Sequence, residues 1–340
     1  MSTPELETTA QALVAPGKGI LAIDESFPSI KKRFDSIGVE STEETRRAYR
    51  DLLITTAGLG EHINGMILFD ETIRQNTAAG VPFTKVLDDA GVITGIKVDA
   101  GTKDLPLHPG EKITEGLDGL GKRLTEYRGL GARFCKWRAV ITIGAGIPSP
   151  ACIAANAEAL ARYAALCQEQ RLVPIVEPEV LMDGDNTLEQ CYAVTEATLR
   201  SLFAALHTHR VSLEGIVLKT NMVIAGKRCP RQNGVDEVAT QTVRCLRNAV
   251  PAAVAGIVFL SGGQAAEPAT AHLNAMHCLY PRLPWPLSFS YGRALQDSAL
   301  KTWAGRAANA AAAQQALAHR SRCNGLASLG QYSPDMERAA

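Results

Sequence analysis

The sequence predicts an α/β protein of the (β/α)8 TIM-barrel class, and three observations carry that prediction. Eight apolar runs of strand length follow one another along the chain, amphipathic or alanine-rich helical stretches separate them, and most of the runs close on charged residues. The runs are 19–24, 65–70, 94–99, 134–141, 172–179, 215–222, 256–263 and 286–293. In the sixth, Ile216, Val217 and Leu218 form the aliphatic series of a strand covered on both faces, as parallel strands beneath helices are.

The helices between the runs have their own signals. Ser41 and Glu44 stand at capping-box spacing before ETRRAYRDLLITTAG, and the DGDN of 183–186 offers caps for a helix running toward residue 207. DGDN as a calcium loop would need further ligands and a closing glutamate, which do not follow, so capping is the expectation. Residues 153–170 and 294–320 are rich in alanine and are expected to be helical. The stretch 101–116, dense in breakers, is expected to be a loop at the barrel mouth. With no solenoid repeat and no Ser/Gly-rich linker, one domain is expected over 1–340, with an N-terminal extension at 1–18 and a C-terminal tail at 321–340.

The totals exclude several functions. Lys plus Arg and Asp plus Glu number 35 each, so no general attraction to nucleic acid or to an anionic membrane is encoded. The 8 cysteines form no CxxC pair and read as reduced core residues. The opening residues lack a basic start and a long apolar run, and no stretch reaches the ~18 apolar residues a membrane helix needs. A cytoplasmic protein with a small-molecule partner is the expectation.

The charges at the strand ends locate the chemistry. Lys97 and Asp99, Lys136 and Arg138, and Glu177 and Glu179 are each two residues apart, Asp24 closes the first run and Lys219 lies in the closing half of the sixth. Side chains alternate faces along a strand, so both members of each pair point to one side, the barrel interior or its mouth. Unpaired charges there would cost several kcal/mol each, so they must neutralise one another or a ligand. Burial of Lys219 disfavours its ammonium form, and a neutral amine is a nucleophile able to form a Schiff base with a ketone or aldehyde. The competing role for such a lysine is to snorkel from the strand end into solvent. Glu177 and Glu179 beside Lys136 can hold different protonation states, which suits proton shuttling.

SGG at 261–263 and SYGR at 290–293 end the last two strands, where barrels commonly bind phosphate. Ser261, Gly262, Ser290, Gly292 and Arg293 supply close backbone approach, hydroxyl donors and a bidentate charge. Lys32, Arg33, Lys97 and Arg138 could hold another phosphate at the far end of the ligand, so a bisphosphate fits. His207 and His209 are two apart in a helical stretch and no HxxH or HxxxH cluster occurs. No GxGxxG or GxxxxGK[ST] follows a strand. Neither a metal nor a nucleotide cofactor is expected.

LAIDES (21–26), GIKVD (95–99), KWR (136–138), IVEPE (175–179), LEGIVLKTNM (213–222), FLSGGQ (259–264) and SYGRALQ (290–296) taken together resemble class I fructose-1,6-bisphosphate aldolase, over about residues 15 to 333. The resemblance implies a metal-independent, usually homotetrameric lyase that reversibly cleaves fructose 1,6-bisphosphate to dihydroxyacetone phosphate and glyceraldehyde 3-phosphate, in glycolysis, gluconeogenesis or carbon fixation. It further implies that Lys219 forms the Schiff base and that Glu177 is the acid/base, with Glu179, Lys136 and Asp24 completing the catalytic set. Ser261, Gly262, Gly292 and Arg293 would hold the dihydroxyacetone phosphate end. Ser26, Ser29, Lys97 and Arg138, with Lys32 and Arg33 near, would hold the other phosphate. Thr220 stands where the family usually has proline, Phe27-Pro28 replaces a small Thr-Gly, and the C-terminal GQYSPDMERAA has no terminal tyrosine of the kind animal relatives use in enamine proton exchange. Sedoheptulose 1,7-bisphosphate as substrate and a non-catalytic sugar-phosphate-binding scaffold are the alternatives.

Overall fold

Each of the eight expected apolar runs contains a strand of the barrel, and the strands close into a ring. In the computed structural model, which describes residues 4–339, the chain begins with helix α1 (Pro4–Leu13), strand β1 (Gly19–Ala22), α2 (Phe27–Asp35) and α3 (Glu43–Ile54). It continues with β2 (Ile63–Leu68), α4 (Asp70–Ile73), α5 (Phe83–Asp89), β3 (Ile93–Lys97), β4 (Thr102–Asp104), β5 (Lys112–Thr114), α6 (Leu120–Gly129) and β6 (Phe134–Ile141). The second half holds α7 (Pro150–Glu169), β7 (Val173–Val180), α8 (Leu188–Thr208), β8 (Val217–Thr220), α9 (Val235–Ala249), β9 (Gly256–Phe259), α10 (Ala266–Leu279), β10 (Leu287–Tyr291), α11 (Arg293–Trp303) and α12 (Ala310–Ala327). All barrel pairings are parallel, in the order β1-β10-β9-β8-β7-β6-β3-β2, with β1 closing on both β2 and β10.

Several strands stop short of the expected ends. Asp24, Asp99 and Asn221 lie just past β1, β3 and β8, where the chain leaves the hydrogen-bonded ladder and turns over the mouth. The expected mouth loop at 101–116 carries structure of its own: β4 and β5 pair as an antiparallel hairpin, Thr102 opposite Thr114. The capping box sits one residue later than expected. Thr42 Oγ1 accepts from the Thr45 N–H at 3.1 Å and Thr45 Oγ1 accepts from the Thr42 N–H at 2.9 Å, while Glu44 reaches Arg47 on the surface. The α8 cap is Thr187 with Gln190 rather than the DGDN segment. The single helix expected over 294–320 is two helices, because Ala304 (φ 47°) and Gly305 (φ 73°) take left-handed backbone and let α12 pack back against α11.

The interior follows strand alternation. Ile20, Ile67, Phe134, Val173, Ile175, Val217 and Val258 point inward and pack with Leu6, Ala10, Leu13 and Val14 of the N-terminal segment. That segment, anticipated only as an extension, therefore plugs the lower end of the barrel. Space for the plug comes from glycine. A Cβ on Gly95 would stand 2.2 Å from the Phe134 ring, and one on Gly256 would stand 2.6 Å from Val14. The outward faces of the strands join the helices in a second, larger apolar cluster that includes Trp137, Tyr163, Phe259 and Phe289. No helix among the described residues is long and apolar enough to cross a membrane.

Gly95→Val is expected to lower the unfolding free energy by about 2–3 kcal/mol by overpacking the plugged end. Gly121→Ala, on α6 with open space around it, should raise it by up to about 1 kcal/mol. Urea denaturation of the two variants checks both signs.

Candidate active site

One alternation step above the apolar plug the interior turns charged. Lys136 follows Phe134, Glu177 follows Ile175, Lys219 follows Val217 and Asp24 follows Ala22, so the same inward faces now carry ionisable groups. Each of the four is at most 8% exposed. Lys136 Nζ lies 2.6 Å from Asp24 Oδ2 and 3.4 Å from Glu177 Oε2, and Lys219 Nζ lies 3.0 Å from Glu177 Oε1. Two cations and two anions thus satisfy one another, as burial demands.

The network fixes charge states. Burial alone would raise the Asp24 carboxyl, but Lys136, Lys219 and Lys97 outweigh it and bring its pKa down to about 2. Glu177 is likewise raised by burial but held below the usual carboxylate range by Lys219, Lys136 and Arg138. Burial works against the Lys136 ammonium, yet Asp24 and Glu177 push its pKa above the ordinary lysine value. The resting site therefore holds an ionised Asp24, an ionised Glu177 and a protonated Lys136. Among the described residues, Glu177 Oε2 has no hydrogen-bond partner.

All the candidate catalytic and phosphate-binding residues named from the sequence line one cavity of about 810 Å³ at the carboxyl ends of the strands. Its two rims differ. On one, Ser26 stands at the N-cap position of α2 without a side-chain capping bond, its hydroxyl 3.2 Å from that of Ser29, and Lys32 lies within the same helix, whose amino end favours an anion. Lys97 is held by Asp99 at 2.9 Å on this side. The Phe27-Pro28 pair forms the first turn of α2, where proline at the start is compatible with the helix, and the Phe27 ring packs edge-on against Phe69 under the Arg46 guanidinium. On the other rim, Gly262 (φ 60°) and Gly263 (φ 98°) take left-handed backbone beside Ser261. Arg293 is the first residue of α11 beyond Gly292. The buried Ser290 Oγ has no hydrogen-bond partner among the described residues.

Two pairings differ from the residue-level reading. Glu179 is bonded to Arg138, not to Lys136, so the two glutamates have separate cations. Arg33, grouped with Lys97 and Arg138 from sequence, is drawn by Glu25 at 2.8 Å to within 3.4 Å of where a Cβ of Gly292 would stand. Glu25 itself was not anticipated. It binds Arg50 at 2.5 Å and Arg33 at 2.8 Å while accepting from Gln296 at 2.9 Å. Lys227 was also missed. It is 2.7 Å from Asp183 and lies against Gly263, beyond any strand-end signal. Thr220 completes β8 opposite Phe259, its carbonyl accepting from the Leu260 N–H at 3.0 Å.

A closed (β/α)8 barrel with a buried, carboxylate-paired lysine at the base of a cavity rimmed by anion-binding groups defines an enzyme for small, multiply anionic substrates. The chain belongs to the class I fructose-bisphosphate aldolase family, whose model matches residues 5–340. It is 63% identical to the probable fructose-bisphosphate aldolase class 1 of Xanthomonas campestris pv. campestris, covering 98% of this chain and 99% of that one. It is 54% identical to fructose-bisphosphate aldolase 1 of Toxoplasma gondii, covering 96% and 91%. The solved structure of the Plasmodium falciparum aldolase, in a complex with TRAP and a small-molecule inhibitor, superposes with a TM-score of 0.95 at 51% identity, covering 97% of this chain and 95% of that one.

The Asp24 shift sets an acid dependence. Its folded pKa of about 2 lies below the ordinary value of 3.8, so its contribution to stability is complete above about pH 4 and is lost as the pH falls toward 2. The shift corresponds to roughly 2 kcal/mol. Asp24→Asn should flatten that part of the stability profile, measured by urea unfolding between pH 2 and 5.

Proposed function

We propose that Lys219 is the Schiff-base lysine of a fructose-1,6-bisphosphate aldolase and that Glu177 is its proton partner. The observation that carries this reading is the 3.0 Å contact between Lys219 Nζ and Glu177 Oε1 at the base of the two-rimmed cavity. An ionised Glu177 can take a proton from Lys219, freeing the lone pair that attacks the substrate ketone. The protonated Glu177 then returns its proton to the carbinolamine hydroxyl, which leaves as water and gives the iminium. Glu177, ionised again, removes the proton of the hydroxyl beyond the bond to be broken, and that bond's electron pair moves into the iminium. The aldehyde departs and an enamine remains on Lys219. Protonation of the enamine carbon and hydrolysis release dihydroxyacetone phosphate.

Lys136, between Asp24 and Glu177, stabilises both as anions, and in this reading Asp24 orients the substrate hydroxyl. Glu179 holds Arg138 at the mouth. Ser261, Gly262, Ser290, Gly292 and Arg293 bind one phosphate, and Ser26, Ser29, Lys32, Lys97 and Arg138 bind the other, with Arg33 between the rims. The cysteines are free thiols, which suits a reducing cytoplasm. A homotetramer is the assembly carried by the family resemblance.

Borohydride added with dihydroxyacetone phosphate and excess chelator should leave a reduced adduct on the peptide containing Lys219, by mass mapping. Lys219→Met should abolish adduct and cleavage alike with the circular dichroism spectrum unchanged; an unlabelled Lys219 in folded wild-type protein would refute the assignment. Glu177→Gln should lower kcat by about 10²–10⁴-fold.

A further inference from the structure

Away from the barrel mouth, the end of the chain returns to α12 and brings three metal-ligating side chains together. His319 and Cys323 are four residues apart on one face of the helix, and their Nε2 and Sγ atoms are 3.5 Å apart. Glu337, from the short 3₁₀ turn at Pro334–Ala339, places Oε2 3.7 Å from the same imidazole nitrogen. The nitrogen, sulfur and oxygen all lie within 4.8 Å of one another. A tetrahedral cation with metal–sulfur bonds of about 2.3 Å and metal–nitrogen or metal–oxygen bonds of about 2.0–2.2 Å requires ligand atoms roughly 3.3–3.6 Å apart.

The groups behind this cluster are arranged as outer-shell supports. Glu337 is gripped by Arg320, and its Oε1 also accepts from the Tyr332 hydroxyl at 2.9 Å. Arg320 is fixed in turn by Thr270 at 2.6 Å, and Thr270 donates to Asn324 at 2.8 Å. Such contacts orient a ligating carboxylate without occupying all of its lone pairs. Cys323 is 1% exposed, whereas His319 and Glu337 are partly open to solvent, which leaves a path for an ion and a position for water.

We propose that His319, Cys323 and Glu337 form a site for one zinc-like divalent cation that clasps the C-terminal turn to α12. An imidazole, a thiolate and a carboxylate suit a borderline-soft ion and exclude magnesium and calcium, which want oxygen alone. The bond to sulfur requires the thiol proton to leave for solvent while the freed electron pair goes to the cation. Burial raises the Cys323 thiol, an effect that outweighs nearby Arg320.

The test is titration of the full-length, chelator-stripped protein with cobalt(II), read by thiolate-to-cobalt charge-transfer absorption. One equivalent per chain is expected, retained in Cys278→Ser and lost in Cys323→Ser. His319→Ala, at a partly exposed position, should weaken binding at least tenfold and carries the test should Cys323→Ser fail to fold. Absence of the band in wild-type protein, or affinity unchanged in His319→Ala, overturns the site.

Discussion

The structure depends on the contact between Lys136 and its two carboxylates, Asp24 and Glu177. A barrel interior is a low-dielectric space, and a single unpaired ion there would be heavily penalised. Lys136 comes from β6, Asp24 from the end of β1 and Glu177 from β7, so the balance exists only once the ring of strands has closed. Lys219, from β8, enters the same network through Glu177. A lysine can be buried at this position because neighbouring strands deliver its counter-charge.

The polarity of the interior is divided along the barrel axis. Below, α1 and the inward-facing valines and isoleucines exclude water and fill the space; above, the same strand faces carry ions. The apolar floor keeps the charged layer poorly solvated, which strengthens each electrostatic contact within it. It also means that the lower half of the barrel contributes to the site indirectly, by setting the heights at which Phe134 and Ile175 hand over to Lys136 and Glu177.

Net charge says little about what the cavity meets. The chain totals cancel, yet the rims concentrate Lys32, Arg33, Lys97, Arg138 and Arg293 around the cavity, together with the amino ends of α2 and α11. Carboxylates set back from the rims, Glu25, Asp99 and Glu179, hold the cations in place. The result is a locally cationic mouth on a neutral molecule, suited to two phosphates separated by a sugar chain.

By itself the sequence determined the number of barrel strands, their order along the chain, and many of the residues that line the mouth, Glu25 excepted. Those features are local: apolar runs mark strands, and a spacing of two fixes the face on which a charge falls. It also named the serine, glycine and arginine residues of the last two strand ends that line the cavity. Which cation each carboxylate takes was decided by tertiary structure. Glu179 goes to Arg138 rather than Lys136, and Glu25 draws Arg33 toward Gly292, because strand stagger sets heights that spacing cannot. Tertiary structure also folded α1 into the barrel end, split the last long helix at Ala304 and Gly305, and joined Glu337 to α12. Each of these outcomes joins residues distant in the chain, and no local period encodes such a pairing.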